Sequence, residues 1–238
     1  MKVLIVSDLH ANLEAIKALP SDFDRLWVLG DLVNYGPNPA EVIDFVRRNA
    51  SMVVRGNHDH SIAFDEDPRC SARFRAMAEE TRRYTRSVLT DEHREFLRNL
   101  PLKATVSAEG IHFLMCHAAP PDPLFEYRPE ESPLWQADEV ASDIGMELVG
   151  HTHVPFRRSL GTRSLVNPGS VGQPKHGRPE ACYAIWQDGK LSLESAAYDV
   201  QSTVDKLRRL SLPAPVFEDL AFVLRNGCAP SAPAGSAD

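Results

Sequence analysis

Short apolar runs punctuate the first quarter of the chain. Residues 2–7, Arg25–Leu29 and Ser51–Arg55 each read as a strand buried on both faces. Between them, Ala11–Leu19 reads as a helix stopped by Pro20. Pro39–Arg48 reads as a second helix, with Asn38 as its cap and Val42, Ile43, Phe45 and Val46 along one broad side. Strand, helix, strand, helix, strand predicts a parallel sheet with crossover helices. The stretch from Asp59 to Leu100 changes character. It is rich in Arg and Glu, and Phe74, Met77, Thr81, Tyr84 and Val88 recur at spacings of three and four, an amphipathic helical face. Thr90-Asp91-Glu92-His93 reads as a further helix start. Residues of about 59–100 are therefore expected to be a helical insertion.

The second half alternates more finely. Leu102–Val106 and Ile111–Cys116 predict a hairpin around Ala108-Glu109-Gly110. Residues 118–133 carry five prolines and predict a long loop. Ser132–Ile144 is expected to be a helix. Strands are then expected at Glu147–Val149, Pro155–Leu160, Arg163–Val166, Ala181–Trp186 and Leu191–Tyr198, with turns at Gly161-Thr162 and Asp188-Gly189. This predicts a mostly antiparallel second sheet. Val200–Leu210 and Val216–Arg225 read as helices, and 229–238, built of Ala, Pro, Ser, Gly and Asp, as a disordered tail. Two sheets that share a core with helices outside predict an α/β fold, a four-layer α-β-β-α sandwich of two mixed sheets flanked by helices. One domain over 1–228 is expected.

Composition narrows the class. The chain has 238 residues, with 43% hydrophobic and 25% charged positions, values of an ordinary globular protein. No apolar run approaches the ~18 residues of a membrane span, and Asp8 breaks the N-terminal run too early for a signal peptide. Cys70, Cys116, Cys182 and Cys228 form no C-x-x-C pair and read as reduced thiols, so a cytoplasmic setting is expected. A formal net charge of −7 argues against a dedicated nucleic-acid binder.

The chemistry lies where the strands end. Asp8-Leu9-His10, Gly30-Asp31, Gly56-Asn57-His58-Asp59, His117 and Gly150-His151-Thr152-His153 each follow a short apolar run. Strand ends are where open α/β sheets place their sites. Asp8, His10, Asp31, Asn57, His117, His151 and His153 are all oxygen or imidazole donors, a set suited to Mn, Fe, Co, Ni or Zn rather than to a structural cysteine–zinc site. Seven ligands are too many for one ion and suit two divalent ions that share a carboxylate. Two such ions bring four positive charges. Asp8, Asp31 and a bridging hydroxide return three, so a phosphoryl group would be drawn to the centre. Paired ions about 3.5–4 Å apart activate water and clamp phosphoryl oxygens, which predicts phosphate-ester hydrolysis by in-line attack of the bridging hydroxide. His60, His93 and His112 read as surface or packing residues.

The ordered set of motifs resembles the calcineurin-like metallophosphoesterases, and together with Asn167-Pro168-Gly169-Ser170-Val171-Gly172 it resembles their small bacterial phosphodiesterase and diadenosine-tetraphosphatase-like branch. The resemblance covers residues 1 to about 200. It implies that Asp8, His10, Asp31 and His153 hold one metal and that Asp31, Asn57, His117 and His151 hold the other. Manganese is the expected ion, with Fe, Zn, Co or Ni as alternatives. It implies that His58 hydrogen-bonds the phosphate or protonates the leaving alkoxide. The Ser/Thr protein phosphatases of this superfamily carry Gly-Asp-x-Val-Asp-Arg-Gly. Here the run is Gly30-Asp31-Leu32-Val33-Asn34-Tyr35-Gly36, so the Arg that grips a dianion is Tyr35, and the Asp that pairs with the catalytic histidine is Asn34. Asn34, Tyr35, Arg55 and Arg178 are candidate substrate contacts, and Arg55, Arg178 or Lys175 could restore a cationic grip. The expected function is hydrolysis of small nucleotide-like phosphodiesters. The alternatives are a phosphomonoesterase or a dinucleoside-polyphosphate hydrolase. A protein phosphatase or a non-catalytic scaffold fits less well. The sequence leaves the physiological substrate and the oligomeric state open.

Overall fold

The computed structural model describes residues 1–230, so residues 231–238 of the expected tail lie outside the described residues. In chain order the elements are β1 (Val3–Val6), α1 (Leu13–Lys17), β2 (Arg25–Val28), α2 (Pro39–Asn49), β3 (Ala50–Val53), α3 (Asn57–Phe64), α4 (Ala72–Val88), α5 (Asp91–Asn99), β4 (Lys103–Ala108) and β5 (Ile111–Cys116). They continue with α6 (Leu134–Ala137), β6 (Ile144–Leu148), β7 (Phe156–Leu160), β8 (Arg163–Asn167), β9 (Glu180–Gln187), β10 (Lys190–Ala197), α7 (Val200–Arg208) and α8 (Ala214–Asn226).

The strands form two five-stranded sheets, ordered β10-β9-β1-β2-β3 and β4-β5-β6-β8-β7. β1 shows why the sheets stack. Its side chains alternate between faces. Val3 and Ile5 pack with Trp27, Phe113, Met115, Leu148, Val166 and Trp186 in a core between the sheets. Leu4 and Val6 pack on the other face with Ile16, Val42, Ile43, Val46, Ile62 and Leu97 from the helices. Phe113 meets both Trp27 and Trp186 edge-on, at ring centroid distances of 5.1 and 5.2 Å. The expected α-β-β-α layering stands, with a thin fourth layer. On the outer face of the second sheet, α6 contributes Trp135, which packs with Cys116, Val149, Phe156, Leu160 and Leu165.

Four local expectations are corrected. Ser132–Ile144 is not one helix. Helix α6 stops at Ala137, and Ile144 already begins β6. Asp138 is extended and its carboxylate is held by buried Arg128 at 2.5 Å, while the Arg128 guanidinium lies 4.6 Å from the Trp135 ring. That ion pair turns the chain where a helix would continue. Nor is the second sheet mostly antiparallel: β5–β6 and β6–β8 are parallel, and the β9–β10 hairpin joins the first sheet through β1. Finally, α1 is shorter than Ala11–Leu19, because Ala11 sits at φ 52° with its N–H bonded to the Leu32 carbonyl at 2.8 Å. On α4, Phe74, Met77 and Thr81 are buried as expected, but Val88 is exposed.

Candidate active site

The site forms where loops leave the strands of both sheets, and its backbone is bent at many of the functional side chains. Asp8, His10, Asp31, Asn34, His151 and His153 all have φ between 44° and 67°. This left-handed region is sparsely used by residues with a side chain, although Asp, Asn and His enter it more readily than most. The turns hold one another there. Asp8 N–H bonds to the Gly30 carbonyl at 3.0 Å, His10 N–H to the Asp31 carbonyl at 2.9 Å, and Gly172 N–H to the Asp8 carbonyl at 2.9 Å. Gly30, at φ 91°, and Gly56 let two of these turns touch. A Cβ on Gly30 would lie 2.5 Å from the Gly56 nitrogen, and one on Gly56 would lie 2.0 Å from Asp31 Oδ1.

All seven candidate ligands converge. Asp8, His10 and His153 offer atoms within 4.8 Å of one another, and so do Asp31, His117 and His151. His10 Nε2 lies 3.7 Å from Asp31 Oδ2, which places Asp31 beside both groups. Asn57 donates its amide to the Pro68 carbonyl at 2.7 Å, which leaves its Oδ1 3.1 Å from His117 Nε2. Each carboxylate uses one oxygen on a backbone N–H. Asp8 Oδ2 accepts from His151 at 3.1 Å, and Asp31 Oδ1 from His58 at 2.9 Å. The other two oxygens, Asp8 Oδ1 and Asp31 Oδ2, are buried without a hydrogen-bond partner.

The neutral imidazoles do not supply the missing donors. His10, His117 and His153 direct Nδ1 at the carbonyls of Val33 (3.1 Å), Leu29 (2.8 Å) and Gln173 (2.6 Å). Nδ1 therefore carries a proton in each, and in the neutral rings of His10 and His153 Nε2 presents a lone pair to the centre. His10 Nε2 and His153 Nε2 face each other at 3.2 Å, as do His117 Nε2 and His151 Nδ1. Burial holds His10 and His153 below their ordinary pKa and His151 down at about 3, so these rings are neutral at neutral pH. Burial works against charge on His117 too, but the Asp31 carboxylate raises it to about 9, so without a metal His117 is the charged imidazole of the cup and its Nε2 holds a proton 3.3 Å from Asp31 Oδ2. Burial alone would raise both Asp8 and Asp31. His153 beside the first and His117 beside the second override it and hold both carboxylates below their usual range. The centre is a buried cup of lone pairs and ionised carboxylates with too few protons to separate them, and this donor set fits two divalent cations.

His58 stands at the edge of this cup. With the Asn34 amide oriented as it is, Nδ2 donates to His58 Nδ1 at 2.9 Å, which puts the ring proton on Nε2. Nε2 lies 3.4 Å from Cys70 Sγ, and the Tyr35 hydroxyl lies 3.4 Å from the same sulfur. Burial holds His58 down at about 4. Tyr35, His58, Cys70, Phe125, Tyr127 and Lys175 line a cavity of about 570 Å³ that opens onto the cup. Arg55 and Arg178 do not line it. Arg55 donates to the Arg98 carbonyl at 2.8 Å and covers the Phe64 ring, and Arg178 is exposed beside Glu180. Lys175 is the one of the three candidate grips that the structure brings to the cavity.

Sequence reasoning gave no role to Asp59, although it stands in the Gly-Asn-His-Asp run. Its buried carboxylate accepts the backbone N–H groups of Asp31 (2.8 Å), Leu32 (2.8 Å) and Gly56 (3.0 Å), and so ties the two central turns together. It also missed the supporting roles of Asn167 and Ser170. Asn167 donates to the Gly150 carbonyl at 2.7 Å, and Ser170 to the Asp8 carbonyl at 2.8 Å. Two of the remaining histidines have structural partners. His93 completes the α5 cap with Thr90, and His112 pairs with Asp143.

The sequence profile of the calcineurin-like phosphoesterase superfamily domain matches residues 1–188. The chain belongs to this superfamily. An uncharacterized protein of Methanocaldococcus jannaschii is 30% identical over 234 residues, covering 89% of this chain and 93% of its own. The Escherichia coli phosphodiesterase YfcE is 27% identical over 208 residues, covering 81% and 91%. A crystal structure of a metallophosphoesterase from Sphaerobacter thermophilus superposes with a TM-score of 0.78 at 31% identity, covering 94% of this chain and 99% of that one. The expected family is thus confirmed, and with it a phosphoric ester hydrolase with two candidate metal sites. Among the described residues no helix is long and apolar enough to cross a membrane.

The Asp59 contacts make a prediction. Asp59→Asn keeps the size but replaces one acceptor oxygen by a donor facing backbone N–H groups. It should cost ~1–3 kcal/mol of stability in chemical denaturation and lower the metal content of the purified protein. Unchanged stability and metal content would contradict this role.

Proposed function

We propose that the protein is a dinuclear metal-dependent phosphodiesterase acting on small nucleotide-like esters. The observation that carries this reading is the pair of buried, unpartnered oxygens, Asp8 Oδ1 and Asp31 Oδ2, facing imidazole lone pairs. In this reading Asp8, His10, Asp31 and His153 hold one ion, and Asp31, Asn57, His117 and His151 hold the other. The ions are transition metals, manganese first. When bound, they supply Lewis acidity for activating water and positive charge opposite the phosphoryl oxygens. One domain spans 1–228, and the free thiols of Cys70, Cys116, Cys182 and Cys228 suit a cytoplasmic setting.

The residues around the cup favour a diester. The position of the dianion-gripping Arg is Tyr35, whose hydroxyl is turned to Cys70, and Arg55 and Arg178 are engaged elsewhere. Lys175 offers a single ammonium rather than an Arg fork. A monoanionic diester needs less positive charge than a dianionic monoester. The similarity to YfcE, a phosphodiesterase, agrees. A second reading, a dinucleoside-polyphosphate hydrolase, draws on the symmetrical bis(5'-nucleosyl)-tetraphosphatase of Vibrio parahaemolyticus, 29% identical over 127 residues but matched over only 44% of its own length.

His58 acts beside the ions. Asn34 fixes the tautomer of the neutral ring, so Nε2–H can donate to a phosphoryl oxygen; to give a proton to the departing oxygen the ring must first take up a second proton, because a neutral imidazole that lost its one N–H would be left as an imidazolate. Asn34 orients the ring without adding a negative charge.

Two measurements test the reading. After chelation and readdition of manganese, kcat/KM should be higher for bis-p-nitrophenyl phosphate than for p-nitrophenyl phosphate, and the chelated protein should be inactive. A preference for the monoester would point to a monoesterase. The second concerns His58→Ala, which should retain both metals yet lose roughly 10²–10⁴-fold in kcat for an alkoxide leaving group. The loss should be smaller for p-nitrophenolate, which leaves without a proton. An equal loss for both would assign His58 to phosphate binding alone, and loss of metal would make it structural.

A further inference from the structure

The cavity over the cup carries cations that no carboxylate neutralises. On the insertion helices, Arg82 and Arg86 pair with Asp65, Arg94 with Asp91 and Arg98 with Glu95. In the cavity, Lys175, Arg69 and Arg73 pair with no carboxylate among the described residues. Two of them are held in place by aromatic faces instead. The Lys175 ammonium lies 4.3 Å from the Phe74 ring centroid, and the Arg69 guanidinium 4.1 Å from that of Phe125. Packing on a ring positions a cation without consuming its charge on an anion. In a chain of net charge −7, three such cations around one cavity form a local field for an anion.

The aromatic wall is equally specific in place. Tyr127, on the proline-rich loop, is 61% exposed yet lines the same cavity, with its ring centroid 5.8 Å from that of His151. Lys175 lies on the other side, with its backbone N–H on the His153 carbonyl at 3.4 Å. The two residues therefore flank the cup, Tyr127 beside the Asp31–His117–His151 group and Lys175 beside the Asp8–His10–His153 group.

We propose that these flanks form a nucleotide subsite, in which Tyr127 stacks on a base and Lys175, with Arg73 and Arg69, binds a second phosphate beyond the one cleaved. The inference rests on the phosphodiesterase reading and names its substrate class: a nucleotide diester that carries a further phosphate, joined through ester or anhydride. Hydrolysis adds water across one P–O bond of the phosphate at the cup. The hydroxyl oxygen joins phosphorus, and a proton goes to the departing oxygen. The second phosphate stays intact and serves as a handle.

The test is equilibrium binding by titration calorimetry to the metal-loaded protein. The probes are dinucleotides whose scissile bridging oxygen is replaced by methylene, with and without a 5′-phosphate. Wild type should bind the 5′-phosphorylated form roughly tenfold more tightly, as expected for a charge-assisted contact. Lys175→Met should remove that preference, and Lys175→Arg should restore it. Tyr127→Ala should weaken both probes by about fivefold or more, the loss of a base stack. Equal binding of the two probes by wild type, or a preference that survives Lys175→Met, would overturn the second-phosphate subsite. Unchanged binding in Tyr127→Ala would overturn the stacking role. Hydrolysis of bis-p-nitrophenyl phosphate reports separately on the phosphodiesterase reading, because that diester carries no second phosphate.

Discussion

Lone pairs and negative charge crowd into a buried volume with too few protons to keep them apart, and this constraint organises the molecule. Two carboxylate oxygens have no donor, and three imidazoles have committed their N–H to backbone carbonyls. Without cations this arrangement would be costly, since an unpaired buried charge is among the most destabilising features a fold can contain. Divalent ions at the centre would convert repulsion into attraction. The backbone shows the same tension. Six of the site residues sit at positive φ, a conformation that costs of order 1–3 kcal/mol each and persists where the surroundings over-determine it. The turn-to-turn hydrogen bonds and the Asp59 carboxylate supply that determination.

The two sheets make the cup possible because neither alone supplies all the candidate ligands. β1, β2 and β3 lead into the turns of Asp8, Asp31 and Asn57, while β5 and β6 lead into His117 and His151. The inter-sheet core of Trp27, Phe113, Leu148 and Trp186 fixes the spacing of these turns. Helices and loops overhang the cup. The insertion supplies Cys70 and Phe74, the proline-rich loop supplies Phe125 and Tyr127, and the loop after β8 supplies Lys175. Loops on a rigid scaffold can vary without disturbing the ligands below.

Most of the residues that converge on the cup were legible in the sequence because they fall in short runs just after apolar strands, where side-chain identity reports directly on chemistry. The order of layers was legible for the same reason. Sheet order was not, since β9 joins the first sheet next to β1 although it lies far along the chain, and local pattern carries no information on that pairing. The region 132–144 misled because its composition tolerates a helix, while a long-range consequence of folding, the Arg128–Asp138 pair, ends it early. Asp59 went unassigned because its partners are backbone N–H groups, which leave no trace in residue type. Among Arg55, Arg178 and Lys175, only the fold could decide which cation reaches the cavity. Arg55 is drawn off by a carbonyl and an aromatic ring on the α3–α5 side.

The central claim is that this cup is built for two cations sharing Asp31. Calorimetric titration of the metal-free protein with manganese tests it most directly, with wild type and Asp31→Asn measured side by side. The account predicts two equivalents per chain for wild type and at most one for Asp31→Asn, which loses both the charge and the shared oxygen. A wild type that binds one equivalent or none, or an Asp31→Asn protein that still binds two with undiminished affinity, would contradict it.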